Sequence, residues 1–136
     1  IFFQHVDIHE ENIFIPNGEL KNNELNEFCK EYELSIKRNG GIDIQVLGLG
    51  LNGHIGFNEP GVSQNSVTRK VALSDTTREA AAKYFEGKEK VPYEAVSMGI
   101  KTILDAEHIV LMAWGDSESA SLLNRSRVSL IESKLS

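Results

Sequence analysis

Apolar positions follow two rhythms along this chain. Between Asn23 and Arg38, Leu25, Phe28, Cys29, Tyr32 and Ile36 recur at helical spacing, and Asn39-Gly40-Gly41 supplies a glycine stop. Ile42 to Leu47 is an apolar run that reads as a buried strand. Ile1 to Ile8 is apolar at first, then alternates, and reads as a strand end. Pro16-Asn17-Gly18 marks a turn, because proline presets φ and Asn-Gly tolerates positive φ. After a polar stretch from residue 61 to 70, the pattern predicts a short strand around Val71 to Leu73. A helix follows from Ser74 to Phe85, with Thr76 and Glu79 at capping-box spacing and Gly87 past its end. Ala95 to Met98 reads as strand, Ile100 to Asp105 as a short helix, and His108 to Trp114 as a buried strand. Gly115 then breaks into a final helical stretch, about Asp116 to Ser133. This order predicts a single α/β domain over residues 1–136 with a mainly parallel sheet. In such sheets ligands bind beyond the carboxyl ends of the strands.

A chain of 136 residues with 40% apolar content is long enough to bury one sizeable core. Fourteen basic against 20 acidic residues gives a net charge of −6, and the densest basic stretches are the pairs Lys37-Arg38 and Arg69-Lys70. That distribution argues against nucleic acid as a partner. No apolar run approaches the roughly 18 residues of a membrane span. Cys29 is alone, which excludes a disulfide framework and fits a reducing cytoplasm. No imidazole or cation lies near it in sequence, so packing on the helix is its expected role. The opening Ile1-Phe2-Phe3-Gln4-His5 lacks an initiator Met and a charged signal region, as in a piece of a longer protein. His5, Asp7 and His9 would share a strand face at metal-ligand spacing. No further ligand cluster follows, so a polar strand end is the expectation and no metal is expected.

The chemistry concentrates in residues 47 to 60, Leu-Gly-Leu-Gly-Leu-Asn-Gly-His-Ile-Gly-Phe-Asn-Glu-Pro. Gly48 to Gly53 spell G-x-G-x-x-G after a predicted strand, the literal dinucleotide fingerprint. That fingerprint needs a helix opening on the loop, and Pro60 disfavours helical geometry at Glu59. The only candidate for the ribose acid, Asp75, opens a helix instead of closing a strand. A dinucleotide is therefore not expected. What the loop does supply is one imidazole, His54, and one carboxylate, Glu59, on a backbone bare enough to approach a ligand. Those are the parts of a proton shuttle.

Gly50-Leu51-Asn52-Gly53-His54-Ile55-Gly56-Phe57-Asn58-Glu59-Pro60-Gly61 resembles the signature of the glucosamine-6-phosphate deaminases (isomerases). The likeness extends to Phe2 to Ile8 with Glu11-Asn12-Ile13, to Val67-Thr68-Arg69 and to Gly99 to Ala106, and reaches Gly115. It implies a Rossmann-like three-layer fold, incomplete here at the N-terminus, in a cytoplasmic enzyme of amino sugar metabolism, a possible homo-oligomer. The implied reaction turns glucosamine 6-phosphate into fructose 6-phosphate and ammonia without metal or organic cofactor, and carries both hydrolase and isomerase as class expectations. In the implied roles, His54 moves protons between the ring oxygen and the anomeric hydroxyl, Glu59 orients and polarises it, and Asn52 completes the relay. Some members carry Asp in place of Asn52, and an amide holds the network without adding charge. Asn58 is expected to tie the turn together. Gly48 and Gly50 would let backbone approach the sugar, and Lys83 aligns with a phosphate-binding arginine whose bidentate fork it lacks.

The resemblance also fails in places. The family's enolising aspartate and main phosphate loop belong to an earlier half. Glu118 stands where a phosphate-binding lysine is usual, and residues 119–136 diverge as a helical segment of unassigned purpose. The family's allosteric patch near Thr68 to Ala72 keeps only Arg69, with Val62, Val71 and Ala72 at positions that need polar contacts, so no such response is expected. The alternatives are a catalytically inactive sugar-phosphate-binding or regulatory module, and a lactonase-like hydrolase, which would need different residues after His54.

Overall fold

A computed structural model describes residues 2–50, 52–112 and 129–131 of the chain. Its helices are α1 (Asn22–Arg38), α2 (Asp75–Ala81) and α3 (Ile100–Leu104). Its strands are β1 (Ile44–Gly48), β2 (Arg69–Ala72), β3 (Glu94–Ser97), β4 (His108–Met112) and β5 (Ser129–Ile131). β1 runs parallel to β4, with Ile44 opposite His108 and Gly48 opposite Met112. β5 adds antiparallel to the other edge of β4, and β2 with β3 forms a separate antiparallel ribbon. The architecture is α/β, with the parallel pair delivering the glycine loop at the carboxyl end of β1.

Helix α1 forms where the helical spacing predicts it, burying Leu25 and Cys29, and it stops as Gly41 donates back to the Ile36 carbonyl at 2.9 Å. Gly40 and Gly41 both take positive φ there, the conformation an L side chain resists. Glu33, half-buried on the same helix, ties α1 to α3 and to the entry of β2 through one oxygen. Its Oε1 accepts from the Thr68 backbone N–H (2.7 Å), the Thr68 hydroxyl (2.5 Å) and the Thr102 hydroxyl of α3 (2.7 Å). Gly99, just before α3, is fixed by contact: a Cβ there would stand 2.2 Å from the Ser66 carbonyl oxygen. Ser66 also caps α3, its hydroxyl accepting from Ile100 N–H at 2.9 Å and its carbonyl from Lys101 N–H at 2.9 Å. Ile103, Val91, Ala106 and Leu47 complete the buried apolar set.

Several sequence expectations are corrected. Phe2–His5 is a 3-10 turn and not a strand, so His5, Asp7 and His9 share no strand face, and all three are exposed. The cap of α2 is Ser74, whose side chain accepts from Thr77 N–H, in place of the Thr76 and Glu79 box. That helix ends at Ala81, and a 3-10 turn (Ala82–Tyr84) carries the chain on to Glu86 and Gly87, both at positive φ. β1 is covered on one face only: Leu47 is buried while Ile44 is 63% and Val46 53% exposed. Ser129–Ile131 lies inside the expected final helix yet is a strand. Its backbone pairs antiparallel with β4, Leu130 opposite Val110, which satisfies an edge of that strand. Trp114, Gly115, Glu118, Arg125 and the divergent tail other than Ser129–Ile131 lie outside the described residues. Among the described residues no helix is long and apolar enough to cross a membrane.

Candidate active site

The loop after β1 is folded back on itself by its glycines. Leu49 N–H donates to the Met112 carbonyl at 2.9 Å, extending the β1–β4 pairing by one rung. Gly50 N–H then donates to the His54 carbonyl and Gly53 N–H to the Gly50 carbonyl, each at 2.9 Å, closing a tight turn with Gly53 at φ 85°. The imidazole of His54 lies directly over Gly50: a Cβ at Gly50 would stand 2.3 to 2.5 Å from its ring atoms. The Cβ direction at Gly50 is thus filled by the imidazole. Gly48 is the last residue of β1, paired with Met112.

Asn52 sits between the imidazole and the acid. Its Oδ1 lies 2.6 Å from His54 Nδ1 and also accepts from the His54 backbone N–H at 3.2 Å, while its Nδ2 donates to Glu59 Oε2 at 2.5 Å. Polarity follows from what each atom is able to do. An ionised carboxylate only accepts, so the amide must present its N–H to Glu59 and its oxygen to His54. That oxygen also only accepts, so Nδ1 donates to it, and in the neutral ring Nε2 keeps its lone pair. Glu59 therefore reaches His54 through Asn52.

On its far side Glu59 Oε1 accepts from the Thr77 hydroxyl at 3.0 Å. Burial pushes the Glu59 carboxyl up. Hydrogen bonds from Ser74, Thr77 and Asn52, with the nearby His54 charge, outweigh burial and hold it below the ordinary carboxylate range. The acid is thus kept ionised, as the polarity of the relay requires.

Asn58 is buried at 3% exposure and fixes the loop to the end of β3, donating from Nδ2 to the Ile55 (3.0 Å) and Met98 (2.8 Å) carbonyls. Ser97 reinforces that join, its hydroxyl accepting from Phe57 N–H at 3.1 Å. The structure thus brings His54, Asn52 and Glu59 into one hydrogen-bonded line. Lys83 stands apart on the 3-10 turn after α2, exposed, its Nζ 5.0 Å from the centre of the Tyr84 ring. Sequence reasoning missed Thr77, Ser74 and Ser97. The Ser74-to-Thr77 spacing is a usable capping signal for the first two; nothing local marks Ser97.

A family profile described as glucosamine-6-phosphate isomerases/6-phosphogluconolactonase matches residues 1–127. The chain is 51% identical over 120 residues to a glucosamine-6-phosphate deaminase of Halalkalibacterium halodurans, covering 88% of this chain and 48% of that protein. It is 51% identical over 117 residues to the enzyme of that name from Clostridium botulinum strain Loch Maree, covering 86% of this chain and 47% of that one. A solved monomeric glucosamine-6-phosphate deaminase, assigned to the NagB superfamily, superposes with a TM-score of 0.82 at 45% identity, covering 89% of this chain and 49% of its own. The chain spans about half the length of the curated relatives it matches. These names correct one expectation: the relatives are deaminases in a family described first by its isomerases, so the hydrolase class is withdrawn.

Proposed function

The chain belongs to the glucosamine-6-phosphate isomerase/6-phosphogluconolactonase family, and from that premise we propose that it carries the ring-opening machinery of a glucosamine-6-phosphate deaminase. The whole protein would convert glucosamine 6-phosphate to fructose 6-phosphate and ammonia, in the cytoplasm, as lone Cys29 suggests. The activity is proposed for a protein that also carries the half of the relatives' length not spanned here, and the 136-residue chain alone is expected to release no ammonia.

One observation carries the reading: the line from His54 Nδ1 through the Asn52 amide to Glu59. In the neutral ring this leaves His54 Nε2 as the acceptor outside the relay. A neutral imidazole takes and returns protons readily at neutral pH. In this mechanism Nε2 accepts the proton of the anomeric hydroxyl and returns one to the ring oxygen as the hemiacetal C–O bond breaks. Glu59 stabilises the imidazolium formed in between, acting through the amide dipole of Asn52. Lys83, exposed and cationic, is the candidate contact for the sugar phosphate, as a point charge. Gly50 serves by making room for the imidazole.

His54→Gln in an active, longer form tests the reading by coupled detection of ammonia. Turnover should fall by about 10²- to 10⁴-fold, the span of acid–base catalysis, with thermal stability nearly unchanged. Full turnover in that variant would remove His54 from the mechanism. The second reading, a sugar-phosphate-binding module without chemistry, is favoured by Glu118 at a lysine position. Calorimetric binding of glucosamine 6-phosphate without turnover in the longer protein would select it.

A further inference from the structure

Thr77 has no role in the reaction described above, yet it reaches Glu59 from a different element. It lies in the first turn of α2 at 7% exposure, with its Oγ1 3.0 Å from Glu59 Oε1 and 2.9 Å from the Ser74 hydroxyl. An ionised carboxylate has no proton to give, so the Thr77 hydroxyl donates to Glu59. The Ser74 hydroxyl stands within reach of both Thr77 and the Glu59 carboxylate. The Ser74 oxygen in turn accepts the Thr77 backbone N–H at 3.2 Å, fixing Thr77 by main chain and side chain together. Asp75, in the same first turn, faces Arg78 and Lys88 at 3.6 and 3.4 Å.

The consequence lies in the Glu59 carboxylate. The terminal torsion of a glutamate is broad, so a carboxylate held at one oxygen turns easily. Here both oxygens are held, Oε2 by Asn52 from its own loop and Oε1 by Thr77 from α2. We propose that Thr77 is a positioning residue of the relay. Its hydroxyl locks the carboxylate so that Oε2 faces Asn52 Nδ2, and through the Asn52 amide this decides which nitrogen of His54 carries the proton. Ser74 serves the same end, since its hydroxyl contacts Thr77 and is hydrogen-bonded to Glu59. If the lock is lost, the carboxylate turns, Asn52 Nδ2 is released, and the amide no longer fixes the ring proton on Nδ1. The inference rests on the reading of His54 as the ring-opening group, but its observable is independent of turnover.

The test is nitrogen-15 NMR of the imidazoles in the 136-residue chain at about pH 8, where an ordinary histidine is neutral. His5, His9 and His108 serve as internal references. Wild-type His54 should be protonated on Nδ1. Thr77→Val should lower the ratio of the Nδ1–H to the Nε2–H form by about two- to tenfold, the range one hydrogen bond controls, and Thr77→Ser should restore it. A folded Thr77→Val with the wild-type ratio would overturn the proposal, as would wild-type His54 found in the Nε2–H form. Should Thr77→Val not fold, Ser74→Ala decides, with a smaller shift in the same direction expected and no shift overturning it. The rate loss of His54→Gln tests ring opening separately, so an unchanged ratio beside that loss removes Thr77 alone.

Discussion

Glu33 and Glu59 are both half-buried carboxylates that accept hydrogen bonds from threonines, and they do opposite jobs. Glu33 takes its hydrogen bonds on one oxygen, from Thr68 just ahead of β2 and from Thr102 of α3. Glu59 divides its partners between two oxygens, and one of them, Asn52, has a second end that reaches an imidazole. The difference lies in the partner. A donor with no onward link makes the acid a fastener, whereas an amide, which donates at one end and accepts at the other, passes on its orientation.

Breaking each acid should therefore break something different. The largest effect expected is on catalysis: Glu59→Gln in an active, longer form should lower turnover by about 10²-fold or more with a small change in melting temperature. A rate loss matched by unfolding would make Glu59 a fastener like Glu33. Next, Glu33→Ala should destabilise the chain by about 3 kcal/mol or more, since it strands donors that cost about 1–3 kcal/mol each when buried unpaired. Chemical denaturation measures that loss, while the His54 tautomer should be unmoved; a shifted tautomer would blur the contrast. Gly50→Ala should displace the imidazole and reduce turnover while costing less stability than Glu33→Ala. A crystal structure of the variant with the ring in its original place would refute that.

The smallest effect expected is in acid. The Glu59 carboxyl is held below its ordinary value when folded, so the unfolded chain binds its proton first as pH falls. Its contribution to stability is complete above the ordinary carboxylate range and disappears as pH drops through the lowered folded value. Melting curves of Glu59→Gln should lose that part of the acid dependence, and an identical pH profile would show that the folded acid is not held down.

How much of this was legible in the sequence depended on distance along the chain. Asn52, His54 and Glu59 belong to one short string, and their association was readable because a tight glycine turn leaves them few other places to go. Helix α1 was readable for a similar reason, its face being written at regular spacing. Contacts spanning many residues were not: nothing in the sequence pairs Glu33 with Thr102, Ser66 with Gly99, or Ser97 with Phe57. Strand sense was equally hidden, since apolar content marks β2 and β3 as extended without saying that they run antiparallel. The one-sided cover of β1 was misread because a run such as Ile42 to Leu47 announces apolarity and not what packs on it.

The asparagine in the middle of the line has one more consequence. A side-chain amide keeps the same dipole whatever the acidity around it, so it has no protonated form in which the line could stall. Charge changes only at the two ends, and the middle carries direction from one to the other without ever storing a proton.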